Sequence, residues 1–395
     1  MVAPALALIL CQAAPAGGVV KVTRYVNYFD PEGKREAVIP KDLPLPPRPS
    51  LPAGPATLSP GYPNDPQRVH YYHMYQEPDG RRILQIAFLG AYEVDTLPGF
   101  MDWKIWYRVS NDGGKTVSEL RPVIQVGEEH DLLHPLWPTY IGKNGYCPST
   151  APPIRAGNGE IMAPFYFPPL DEQGEYYNPA GAYTYSDGGV LIGWWNEDGT
   201  DVTWELGDTV RLQAHQSTRG NDEPAVIELD TPGRFLMVIR ASNDKRTDTV
   251  SGYKWMSISQ DYCRTWSAPQ PFTYSSGESF FSPAACSELV RSAVNGKLYW
   301  IGNLCGTPPK GNSPRYPLVI GQVDEATCGL IKDSVLVIDD LNPELDSPQM
   351  QLSNFSTVQN PDTGQIIVRL TRIDPGRGTY GKVKYPPCAY VIDVE

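Results

Sequence analysis

His130 and His134 stand four residues apart in the run Glu128-Glu129-His130-Asp131-Leu132-Leu133-His134-Pro135. On one helix face that spacing would offer two imidazoles to a metal, but Pro135 disfavours a continuing helix. Imidazole here suits acid–base work on a bound substrate, or a structural or surface role. A second pair of groups lies between Asn221-Asp222-Glu223-Pro224 and Arg240. Glu223 opens one apolar run and Arg240 closes the next, a carboxylate and a guanidinium of the kind that form an ion pair. A buried pair of that kind either holds a scaffold or faces an anionic ligand, because desolvated arginines are costly without one.

Those residues need elements to hold them. Residues 221–266 read as one repeat unit. Ala225-Val226-Ile227-Glu228-Leu229 is a short apolar run, and Asp230-Thr231-Pro232-Gly233 supplies turn residues. Residues 234–240 form a near-continuous apolar strand bracketed by arginines, the pattern of burial on both faces. A third strand, residues 253–259, alternates, and it runs into Ser259-Gln260-Asp261-Tyr262-Cys263-Arg264-Thr265-Trp266. In that spacing an aspartate accepts backbone N–H groups of its own turn while the flanking hydroxyls tie the ends. Ser110-Asn111-Asp112-Gly113-Gly114-Lys115-Thr116 is a second copy after the strand at 103–109, with Val117 in place of the tryptophan. Weaker echoes occur at 198–204 and 324–329. Recurrence at intervals of tens of residues marks a repeat architecture.

Over residues 66–395 the chain resembles the sialidase (neuraminidase) superfamily, the Asp-box or BNR-repeat β-propellers. The resemblance implies an all-β propeller of six blades, of which five are read clearly. It implies that Glu223 and Arg240 are a catalytic glutamate and a carboxylate-binding arginine. It makes Arg315, in Arg315-Tyr316-Pro317-Leu318-Val319-Ile320, and Arg68, which opens the first blade, the other two arginines of a carboxylate clamp. The acid/base aspartate would come from the loop holding Glu93, Asp95 and Asp102, with Asp102 best placed before Trp103; each is equally a solvated loop carboxylate. His130 is the further acid–base candidate. The family's tyrosine nucleophile would fall near Leu352, and no tyrosine occurs between Tyr316 and Tyr380. A tyrosine from another blade, direct attack by water with inversion, or β-elimination on a uronate would each replace it. Tyr140, Tyr146, Tyr166, Tyr183 and Tyr185 are read mostly as core, with some forming a wall on which a sugar stacks.

The formal charge of −12 argues against nucleic acid as a partner and means that an acidic sugar needs a local arginine cluster. Thirty-six glycines and 40 prolines, with few helix-period stretches, favour one turn-rich all-β domain over residues 67–395. Residues 1–16 are apolar and end Ala14-Pro15-Ala16, which reads as a signal peptide without a basic start, hence a secreted or periplasmic protein. Residues 17–66 read as an N-terminal strand, pairing with 389–394, followed by a Pro-rich surface tether. No run reaches the roughly 18 apolar residues of a membrane span. Six cysteines lie beyond the leader; an even count permits disulfides, and the absence of C-x-x-C argues against structural zinc. Neither metal nor cofactor is expected. Two readings follow: a secreted sialidase-like glycoside hydrolase acting on a terminal acidic sugar, or a non-catalytic glycan-binding propeller. A propeller polysaccharide lyase acting on uronates is a further alternative.

Overall fold

The computed structural model describes residues 18–26, 51–52, 68–92, 96–377 and 388–395. The expected leader, nearly all of the Pro-rich tether, and Glu93 and Asp95 lie outside the described residues. Apart from one six-residue helix, Leu97–Asp102, and two short 3-10 turns, the regular structure is antiparallel strand. The described strands form five sheets of four or five strands, matching the five blades legible in the sequence. The sixth that the resemblance implies has no counterpart among the described residues.

Contacts divide the chain into two compact units. The one spanning residues 48–250 and 255–270 holds three sheets. The first sheet is a meander of Arg68–Gln76, Ile83–Gly90, Lys104–Ser110 and Arg121–Pro122. The second centres on Ile161–Phe167 and Asp187–Trp195, with Val202–Leu206 at one edge and Cys147–Pro148 at the other. The third stacks Asp222–Glu228, Phe235–Arg240 and Trp255–Ser259. Middle strands such as Ile83–Gly90 are buried on both faces, as their largely apolar runs require, and the one polar side chain there, Gln85, accepts from Arg108 Nε at 2.7 Å. Trp106 and Trp204 are among the fully buried anchors, each worth about 2 kcal/mol or more in burial.

The run 182–186 is not strand; the strand begins at Asp187 and passes through Gly188-Gly189. A Cβ on Gly188 would lie 2.7 Å from the Asn221 side chain, and one on Gly189 3.1 Å from Phe165. Both glycines are places of close approach between strands. Asn221 N–H donates to the Ser186 carbonyl at 2.7 Å, and the Ser186 hydroxyl donates back to the Asn221 carbonyl at 2.9 Å.

Both S-x-D turns close as their spacing requires. Asp112 accepts the Ser110 hydroxyl at 2.8 Å, the Thr116 hydroxyl at 2.7 Å and the Lys115 and Thr116 amides. Asp261 accepts the Ser259 and Thr265 hydroxyls at 2.8 and 2.6 Å and the Thr265 amide at 2.9 Å. Cys263, at the position of Gly114 in the other turn, holds φ +65° in the left-handed region and fills the core as a free thiol.

The other unit holds the fourth and fifth sheets. The fourth runs Glu288–Arg291, Leu298–Asn303, Leu318–Asp324, with Leu336–Asp339 beyond. In the fifth, Phe355–Gln359, Ile366–Leu370 and Cys388–Val394 are completed by the N-terminal strand Val19–Tyr25. Its pairing with the C-terminal strand, Val22 opposite Ile392, is the one expected from the sequence.

Candidate active site

Glu223 lies at an irregularity built into its strand. Asp222 is opposite Arg240, but the register shifts before Ala225, and Glu223 within that bulge has φ +43°. A bulge re-aims a side chain, and a non-glycine residue in the left-handed region costs energy that persists only where the surroundings enforce it. Here the Ser186–Asn221 latch holds one end, and the buried Ser149 hydroxyl holds the other by donating to the Pro224 carbonyl at 2.6 Å. His73 Nε2 donates in turn to the Ser149 carbonyl at 2.7 Å. Burial pushes the His73 imidazole down to about 4, outweighing the carbonyl that pulls it up, so it is neutral at pH 7.

The re-aimed carboxylate is ion-paired with Arg240 Nη1. Arg240 Nε lies 3.9 Å from Asp222, whose other cation is Arg219 at 2.9 Å. Arg219 also donates to the Thr184 hydroxyl at 2.9 Å through Nε. Two guanidiniums and two carboxylates thus interlock, all less than a fifth exposed. Tyr166 completes this side. Burial first, then Cys147, Glu223 and Asp222, hold its phenol well above the usual range, so it stands protonated beside the carboxylates.

Aromatic rings continue from Tyr166. Phe100 stacks on it at 5.6 Å from the short helix Leu97–Asp102. Phe88, Trp103 and Cys147 pack with both, and His70 and Tyr72 lie over Phe88 at 5.2 and 5.3 Å. Tyr72 is 42% exposed, which gives the wall an open apolar face. Asp102 ends the helix, and its carboxylate accepts the Ala91 amide at 2.5 Å and lies 3.3 Å from Lys104 Nζ. Arg68 pairs in register with Gly90, where an added Cβ would meet Asp102 at 2.9 Å. The backbone of Arg68 and the Asp102 carboxylate are therefore neighbours.

Of the expected residues, Glu223 and Arg240 come together directly, and Asp102 shares the aromatic wall with Tyr166. His130 sits in a separate turn: Asp131 caps it through the Leu133 and His134 amides, and the His130 ring lies 3.5 Å from Glu129 and 5.2 Å from the His134 ring. Arg315 belongs to the other unit, where it is buried and donates to the Ala284 carbonyl at 2.7 Å and Gln351 at 3.0 Å. Leu352, where a tyrosine would fall, is fully buried, and its amide donates to the Arg315 carbonyl at 3.0 Å. Tyr146 and Tyr185 are core, each hydroxyl donating to a backbone carbonyl. Arg219 and Asp222 are residues the sequence reading passed over. Arg219, four before Glu223, was the available signal.

No family model and no curated protein matches the chain. Solved structures do. The NanB sialidase of Streptococcus pneumoniae aligns over 82% of this chain and 56% of its own at 11% identity, with a TM-score of 0.50. The Trypanosoma rangeli sialidase (13% identity, 82% and 45% covered) and the Hadza microbial sialidase Hz136 (14%, 77% and 50%) have TM-scores of 0.49 and 0.47. The chain spans about half the length of these proteins. At such identity the likeness carries the fold: this is an all-β protein with the sialidase-like β-propeller architecture.

Proposed function

We propose that the protein is a secreted or periplasmic sialidase-like glycoside hydrolase that removes a terminal acidic sugar from a glycan. The observation that carries the reading is Glu223, held in a left-handed backbone conformation on a bulge, paired with Arg240 and bordered by Arg219, Asp222 and Tyr166. Arg240 binds the sugar carboxylate, with Arg219 alongside. Glu223 takes a proton from water as that water attacks the anomeric carbon, and Asp102 gives one to the departing oxygen. With leucine at 352 and Tyr166 kept protonated, water is the nucleophile and the product anomer is inverted. The fully buried Leu352 also favours a second reading, a propeller that binds acidic glycans without cleaving them.

The test is NMR of the anomer released from aryl and natural sialosides, with uronic-acid glycans in parallel. Glu223→Gln is expected to lower turnover by about 100-fold or more while substrate binding persists. A fluorinated sialic acid trapped on Tyr166 would make the enzyme retaining, with Glu223 the partner of a phenol. An unsaturated uronate product would make it a lyase, and binding without turnover would leave the glycan-binding reading.

A further inference from the structure

Two adjoining cavities open beside the second sheet, next to the strand that pairs with that of Tyr166. Their volumes are about 400 and 650 Å³, and both are lined by Trp137, Thr209 and Arg211. The register connects them to the wall described above: Tyr166 is opposite Gly188, and the next pair, Phe167 and Asp187, puts Asp187 in the larger cavity. Together they make one groove of the size that holds a small ligand. None of its lining residues belongs to the Glu223–Arg240 cluster.

Its chemistry is specific in three respects. Trp137 is 62% exposed, an uncommon exposure for the largest apolar side chain, and it stands at the junction of the cavities. Arg211 is immobilised: Nε and Nη2 donate to Asp187 at 2.9 and 2.7 Å, and the guanidinium lies 4.9 Å over the Tyr177 ring. An arginine fixed in this way and still 38% exposed offers donors to a ligand at little entropic cost, and Asp187 already balances its charge. Against Lys143, the larger cavity sets Asp171 and Glu172, and the smaller adds Asp208. The groove therefore repels anions while presenting a ring-sized apolar platform beside neutralised hydrogen-bonding groups. We propose that it is a binding groove for a neutral oligosaccharide, one pyranose stacking on Trp137 and its hydroxyls meeting Arg211, Thr209 and Asp208.

The probes are lacto-N-neotetraose, cellotetraose and maltotetraose, titrated by calorimetry into the whole protein. At least one is expected to saturate, with Trp137→Ala weakening it by about tenfold or more and Trp137→Phe by less. Trp137 is exposed, so both variants should fold; melting curves check this. Thr209→Val and Asp208→Asn, which remove polar partners and leave the platform, are expected to weaken binding as well. Hydrolysis of a small aryl sialoside should be unchanged in Trp137→Ala. An inactive wild type would count against the hydrolase reading and leave the titration standing. No saturation by any of the three up to about 10 mM, or equal affinity in wild type and Trp137→Ala, overturns the groove.

Discussion

Arg240 carries the sharpest single-residue expectation. It holds Glu223 directly and approaches Asp222, so its charge is already shared before any ligand arrives. A carboxylated sugar would draw on the same planar fork. Arg240→Ala is expected to weaken sialic acid binding by about 2–5 kcal/mol, and Arg240→Lys to recover little, since a point ammonium cannot make the bidentate contact. Calorimetry on both variants checks this, with thermal melts to separate local loss from unfolding. Equal binding of sialic acid and its carboxylate-reduced analogue by the wild type would refute the clamp. Tyr166 is informative at the same scale: burial first, and then Cys147, Glu223 and Asp222, keep its proton on, the opposite of what a nucleophile needs.

Between elements, the chain from His73 through Ser149 to Pro224 ties the first, second and third sheets together beside Glu223. The His73 imidazole titrates near 4 in the folded protein against 6.5 ordinarily. Above 6.5 neither state holds the proton. Between 6.5 and 4 the unfolded chain binds one that the folded chain refuses, so stability falls as pH drops through this window. His73→Gln retains an N–H for the Ser149 carbonyl and does not titrate. Denaturant unfolding at pH 7, 5.5 and 4.5 should therefore show a smaller loss in the variant. Parallel losses in both proteins would mean that the histidine does not govern this range.

For the whole molecule, the sialidase-like fold brings the two ends of the chain into one sheet. Val19–Tyr25 covers the edge of Cys388–Val394, Val22 enters the core, and Arg24 donates to the Val337 and Ile338 carbonyls at 2.6 Å. Without that strand an apolar edge would be open to pairing with other copies. Deleting residues 18–26 should lower the melting temperature by roughly 5 °C or more and raise light scattering on heating. An unchanged melt would show the strand to be dispensable. Among the described residues no helix is long and apolar enough to cross a membrane.

What the sequence determined alone was whatever depends on neighbours in the chain. Apolar runs of strand length and S-x-D turns act over a few residues, so five sheets and the closures at Asp112 and Asp261 were legible. Glu223 and Arg240 were too, through the likeness of their strand pair to that of the sialidases. The tertiary structure decided what depends on approach between strands far apart. Gly188 is explained only by Asn221, whose side chain fills the space of its missing Cβ. Tyr166 looks like core until the bulge turns Glu223 towards its surroundings, and Trp137 looks like any loop tryptophan until Arg211 and Asp187 stand beside it. Those contacts are set by packing between sheets, and no local spacing encodes them.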